Sequence, residues 1–477
     1  MLNQIDKMKY LGQLLIFIAI ILTSGCASMM QKNELIAFNR LYSTGQYNEA
    51  ANTEIRIKQG KKSASSLLQS LQAAVALRYA QQYTQSSSLL DECEEVIKYQ
   101  NEQALSADVA SNTGAILVND SVMDYKGTEY DGIMVNTYKA LNFWQEGKKD
   151  LARIEFNRAL DRQRRAKERF ASEIAKLKNE LDKKQEEENK KANNNKAPAM
   201  DINKNVNNPE IENILKQKYS NLYEFKTYPD FTNPFTTYMA GLFFMSEGDY
   251  SKAATLLKEA YGMVENNSCV ENDFASVENL LDGQKNNTKH TWIIFENGLC
   301  PEKRELRVDL PLFLYTDKVQ YTGIALPILE MRQQAYSHLI LKNSGSEIGQ
   351  TTTLASMDRV IQTEFKKQYP AIVTRAIVST LIKTYAQYSA QKEYGDVGGF
   401  ATTFYQLATT AADIRIWTAL PKEFQIAKID TPSDGILSIE TPTGEEINVT
   451  IPNDNDSLIY IKIPTNGAKM VYDVIKM

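Results

Sequence analysis

The apolar residues of this chain fall into three textures. The first is one unbroken run over 14–22, preceded by Lys7 and Lys9 and followed by Thr23-Ser24-Gly25-Cys26. It is too short to cross a bilayer as a mature helix, which takes about 20 apolar residues, but it has the charged start and short apolar centre of a secretory signal. The second texture, over 35–275, places apolar residues three and four positions apart and predicts helices. The third, over 285–477, contains short alternating segments between breakers and predicts strands. The fold class expected is therefore α+β.

Within the helical texture one pattern recurs. It runs through Gly241 and Phe244, a turn at Gly248-Asp249-Tyr250, and then Ala253, Leu257 and Ala260. It appears again at Gly45, Tyr47 and Ala50, and at Ala140, Phe143, Gly147, Ala152, Phe156 and Ala159, with a weaker copy through Tyr83, Ser86, Leu90 and Cys93. Two antiparallel helices cross closely only where a small side chain faces the partner, and a turn glycine ends the first helix. The pattern resembles tetratricopeptide units, and its uneven spacing predicts a divergent α-solenoid with insertions.

The third unit runs on into a charged stretch over 162–188 whose alternating signs predict a long solvated helical arm able to pair as a coiled hairpin. It passes into an Asn-rich, low-complexity linker over 188–208, after which Asn208-Pro209 opens a new helix. In the third texture, strands are expected at 292–298, 306–310, 320–326, 424–429, 436–440, 446–451 and 458–463. Two helices, 354–394 with a break near Pro370 and 399–414, complete a mixed C-terminal domain of β-sandwich-like strands around a helical pair.

Composition adds constraints. A chain of 477 residues with 43% hydrophobic and 24% charged residues has material for a large core. The net charge of −5 becomes about −6 once a signal over 1–25 is removed, so no basic field exists to collect nucleic-acid phosphates. Only two histidines are present, His290 and His338, far apart in the chain, and no metal or other cofactor is expected. No Gly-x-Ser-x-Gly elbow and no phosphate-cradling loop is present, Asp396-Val397-Gly398-Gly399 lacking a following Lys-Ser/Thr. Cys93 lies on a helical pattern where a small residue packs. Cys269 and Cys300 are either a disulfide, as an oxidising compartment favours, or two buried thiols.

The residues Thr23-Ser24-Gly25-Cys26 resemble the lipobox of bacterial lipoproteins, which implies acylation of Cys26 and a short tether over 26–34. Ala27, where an inner-membrane lipoprotein often has Asp, points to the outer membrane, facing the periplasm. Several further segments together resemble an uncharacterised family of repeat-containing bacterial lipoproteins. They are 138–142, 152–159, 231–241, 295–299 and 412–421. The resemblance implies no activity or catalytic residues; it implies an association with peptidoglycan synthesis.

Solenoids bind partners on faces lined by first-helix residues, which makes Asn136, Lys139 and Phe143 candidates for partner binding. In the C-terminal domain, Asp413, Arg415 and Trp417 offer a planar fork and an aromatic plate suited to a carboxylate or a sugar; the alternative is a structural ion pair beside a buried Trp. The reading that follows is a non-enzymatic protein-interaction scaffold of the cell envelope, held to the membrane by lipid and binding one or more envelope proteins. The alternative is a wall-binding or wall-remodelling protein that recognises glycan or peptide through Arg415 and Trp417.

Overall fold

The computed structural model describes residues 33–61, 64–106, 123–195, 201–264, 266–284, 288–315, 318–394 and 411–477. Cys26, the apolar run before it and the Asp396–Gly399 stretch lie outside the described residues.

The fold is mixed α+β. Helix α1 spans 33–43, and α2 (Tyr47–Gln59), α3 (Leu67–Tyr79), α4 (Tyr83–Ser106), α5 (Glu129–Gln145) and α6 (Lys149–Asn195) follow. Then come the short α7 (Ile202–Val206) and α8 (Pro209–Lys218), and the packed set α9 (Pro234–Ser246), α10 (Tyr250–Met263) and α11 (Ser268–Leu281). The four recurring patterns mark the turns α1–α2, α3–α4, α5–α6 and α9–α10. Each closes in the same way, with a residue at positive φ (Gly45, Gln81, Gly147 and Gly248). The next residue donates its N–H back across five positions, as in Gln46 to Leu41 (2.9 Å) and Lys148 to Phe143 (2.8 Å). This is the Schellman closure, for which glycine is the usual residue because only it takes the left-handed conformation freely. At the α9–α10 crossing, a Cβ on Gly241 would come within 2.9 Å of Leu257, so the small residue sets the approach of the two helices.

The strands are β1 (His290–Asn297), β2 (Glu302–Tyr315), β3 (Lys318–Glu330), β4 (Ile340–Asn343), β5 (Ser346–Gln350), β6 (Thr352–Ser356), β7 (Glu423–Asp430), β8 (Ile436–Glu440), β9 (Glu446–Thr450), β10 (Ser457–Ile463) and β11 (Val471–Lys476). A five-stranded sheet has the order β11-β10-β1-β7-β6, with β1 and β10 parallel and its other pairs antiparallel. A four-stranded antiparallel sheet has the order β5-β4-β8-β9. Ile293, Phe295, Ile429 and Ile461 of the first meet Leu341, Leu437, Ile439 and Val449 of the second, so the two sheets form a sandwich. The opposite face of the larger sheet, with Trp292, Ile294, Ile426 and Tyr460, shares one core with the helices. Covered on both faces, β1 is buried from Thr291 to Asn297 and loses the usual polar alternation.

The change from helix to strand falls near residue 285, yet the core does not divide there. Phe235 of α9 stacks on Phe424 of β7 at 3.5 Å, and Gln72 Nε2 of α3 donates to Thr418 Oγ1 at 2.8 Å. Deeper in the same interface, the hydroxyls of Tyr79 (α3) and Tyr460 (β10) both donate to the Glu296 carboxylate of β1, with the Lys462 ammonium 3.6 Å away. All of these groups are buried, so the helical layer is fixed to the sheet by a desolvated ionic cluster as well as by apolar contact.

Three expectations need correction. Helix α12 (Met357–Tyr394) continues through Pro370 without a break. Pro370 lies on the exposed side of the helix, while its neighbour Tyr369 packs with Phe365 and Tyr219; that packing offsets the hydrogen bond the ring removes. Residues 411–414 are not helical, and the rest of the helix expected at 399–414 lies outside the described residues. Helices enter the stretch expected at 188–208 as a linker. α6 extends to Asn195, and α7 folds back on it, with the Ile202 N–H donating to Gln185 Oε1 at 2.8 Å.

Candidate functional site

The residues proposed for partner binding are largely internal. Asn136 of α5 is fully buried and spans two helices: its Nδ2 donates to Glu94 Oε1 (3.0 Å) and Glu155 Oε2 (2.6 Å), and its Oδ1 accepts from Arg162 Nε (2.6 Å). The Lys139 ammonium pairs with Asp91 (2.6 Å), Glu94 (2.6 Å) and Glu155 (3.1 Å). Burial opposes the charge on Lys139, but the hydrogen bonds it donates to Asp91 and Glu94 outweigh that and raise its pKa. Phe143 is half-buried against the core. These side chains therefore form a polar seam joining α4, α5 and α6. The inner face of the helical layer is closed as well, because α3, α5 and α9 carry the five-stranded sheet of the same chain.

Trp417 is fully buried, edge-on to Tyr138 of α5 at 6.1 Å, so its ring is an anchor between sheet and helices and not an exposed plate. Arg415 grips Asp413 bidentately (2.8 and 2.9 Å) and donates through Nη1 to the Met123 carbonyl at 2.7 Å. Cys269 and Cys300 are free thiols. Burial pushes Cys269 up to about 11 and Cys300 up to about 12. They sit toward opposite ends of β1: Cys269 meets Lys428, which pairs with Trp292, while the Cys300 N–H donates to Leu420 beyond Asn297. That separation is far beyond the 7 Å between Cα atoms that a disulfide tolerates.

What the geometry does bring together are two clefts on either side of the segment 411–415, with Arg415 in their shared wall. The smaller, about 400 Å³, lies between the start of α5, the middle of α6, α12 and β3. Its buried acid is Glu364 of α12, whose carboxyl oxygens accept the N–H groups of Glu129 (3.0 Å) and Tyr130 (3.1 Å) at the N-terminus of α5. Burial and the neighbouring Glu129 push Glu364 up to about 8. Nearby, burial raises Asp131 to about 6. The larger cleft, about 670 Å³, lies between α1–α3 and the root of the β2–β3 ribbon. Glu302-Lys303-Arg304-Glu305 begins β2 and lines this cleft.

The charged groups around the larger cleft are mostly paired with each other: Lys61 with Glu34 (3.2 Å), Arg307 with Glu305 (2.7 Å) and Arg415 with Asp413. Among the described residues no three His, Cys, Asp or Glu side chains are grouped to hold a metal, and no helix is long and apolar enough to cross a membrane. Sequence reasoning missed the clefts because their walls come from distant segments. One local signal existed: Glu54 breaks the apolar stripe of α2. No family model matches the chain, and no curated protein matches it.

Proposed function

We propose that this chain is a lipid-anchored scaffold of the bacterial envelope, acylated at Cys26, held under the outer membrane and binding a protein partner without catalysing a reaction. Its helical hairpins are read as divergent tetratricopeptide-like units, and peptidoglycan synthesis is the process to which the sequence resemblance ties it. The observation that carries the reading is the closed inner face: a sheet of the chain's own fills the surface that such hairpins usually offer, which leaves the paired clefts beside 411–415 for binding. The larger cleft is bordered by Glu34, Leu35 and Ile36 at the start of α1, so it would open close to the anchored end. Wall recognition through an exposed Trp417 plate is disfavoured by the burial of that ring.

The test has two parts. Palmitate labelling in cells is expected to disappear on Cys26→Ser. Photo-crosslinkers at the exposed rim positions Arg304 and Arg307 are expected to capture a discrete envelope protein, and crosslinkers on the outer face of α2 are not. A chain that takes up no label, or rim positions that capture nothing above the α2 control, would sink the proposal.

A further inference from the structure

Helix α2 buries Tyr47, Ala50, Ala51 and Glu54, a stripe at i, i+3, i+4 and i+7. Glu54 thus stands where a core residue belongs, and it is only 3% exposed. Among the described residues its carboxyl has no hydrogen bond and no ion pair within 4 Å. It borders the larger cleft. A second orphan borders the same cleft: Gln69 of α3 is 8% exposed, and its Oε1 is buried without a partner. Leaving one such group unsatisfied costs about 1–3 kcal/mol, and more when it carries charge.

The neighbouring polar groups are already committed and do not relieve either orphan. Gln72 uses both ends of its amide, on Thr418 Oγ1 (2.8 Å) and on the Ala419 N–H (3.1 Å). Asn39 Oδ1 accepts from Thr418 at 2.6 Å. From α1 the charged group facing Glu54 is Glu34, and from the end of α2 it is Lys61; these two pair with each other. On the far wall Arg304 pairs with Glu330 and Glu302, Arg307 with Glu305 and Arg415 with Asp413, while Lys303 acts on Asp131. Gln69 Oε1 is an acceptor, and the Glu54 carboxyl becomes wholly one when it gives up its proton. The complementary group has only donors and a positive charge.

We propose that Glu54 and Gln69 floor a subsite that takes an alkylguanidinium or alkylammonium head, with its apolar stem along Leu68 and Ile414. The proposal rests on the reading that the clefts bind a ligand, and it names the chemistry of one. Burial, then the Glu34 carboxylate, push Glu54 up to about 8 against the pull of Lys61, so the unliganded acid holds its proton at pH 7. A bound cation favours the carboxylate and expels that proton to solvent.

The test uses the full mature chain and n-butylguanidinium, with the near-isosteric neutral n-butylurea as control, by titration calorimetry in buffers of different ionisation enthalpy. Butylguanidinium is expected to bind, to release about one proton at pH 7 and almost none above pH 9, and to tighten about tenfold per pH unit between 6 and 8. Glu54→Gln and, separately, Gln69→Leu are expected to weaken binding at least about tenfold with the near-UV circular dichroism unchanged. No saturable binding by the folded parent up to about 10 mM, equal binding of butylurea, or unaltered binding by Glu54→Gln overturns the proposal. Crosslinking distinguishes the source of the head. A partner lost on Glu54→Gln means a lysine or arginine of that protein, and a retained partner with intact butylguanidinium binding means a free small molecule. Normal rim crosslinks with no butylguanidinium binding refute this subsite alone; absent crosslinks and absent lipid label refute the scaffold reading instead.

Discussion

The buried cluster around Glu296 is the sharpest test of how this fold is held together. Glu296 and Lys462 are both fully buried and 3.6 Å apart. At an effective dielectric near 20 that separation corresponds to about 4–5 kcal/mol of attraction. Glu296→Gln removes it at nearly constant volume. It also turns two charge-assisted bonds from Tyr79 and Tyr460 into neutral ones, and it leaves the Lys462 ammonium with the Gly298 carbonyl at 3.1 Å. Burial already lowers the pKa of Lys462, so the lysine can shed its charge and cap the loss. The expected cost is about 3–5 kcal/mol. Glu296→Gln/Lys462→Met removes both charges and should cost only about 1–2 kcal/mol. Urea unfolding followed by the fluorescence of the buried Trp144, Trp292 and Trp417 measures both values. Amide exchange should show the loss at α3, which carries Tyr79. A single variant within about 1 kcal/mol of the parent, or a double variant weaker than the single, would refute the assignment of this pair as the tie between layers.

Three other perturbations probe other parts of the fold. Glu364 keeps its proton to about pH 8 when folded but only to the ordinary carboxylate range when unfolded, so the folded state binds more protons between these limits. Its contribution is full in acid and fades as pH rises toward 8; Glu364→Gln should flatten the fall in Tm across that window, and an unchanged slope would exclude Glu364 as its source. Gly241→Val should destabilise by about 1–3 kcal/mol in denaturant titration, because a Cβ there already meets Leu257 at 2.9 Å, and a neutral result would mean the α9–α10 crossing is looser than described. In the native protein, Cys93 and Cys300 should resist Ellman's reagent while Cys269 reacts slowly; mass spectrometry of an oxidised sample showing a Cys269–Cys300 bridge would contradict the free thiols.

Local features of the fold were legible in the sequence. The hairpin turns at Gly45, Gly147 and Gly248 were readable because a Schellman closure depends on residues within five positions of each other; the turn at Gln81 has no glycine to mark it. Ile436–Glu440 could be bounded to the residue, since alternation and the flanking turn residues are also local signals. The short strands β4, β5, β6 and β11 escaped because they carry little alternation of their own and form only against neighbours. Arg415 was placed beside Asp413 because the two lie two residues apart.

The tertiary structure decided what those elements enclose. Asn136 and Lys139 look like an accessible helix face until α4 and α6 surround them with carboxylates, and Trp417 looks like a plate until Tyr138 covers it. Nothing local brings β10 beside β1 or seats the sheet on α3, α5 and α9; burial of apolar area drives that docking, and area has no sequence address. The same docking turned the inner face of the helical layer into core and opened the clefts beside 411–415, where Glu54 faces a surface assembled from three distant parts of the chain. The sequence by itself determined where helices turn and where strands alternate, because backbone conformation answers to near neighbours. Which faces remain available for binding was settled only when distant segments competed for the same apolar surface.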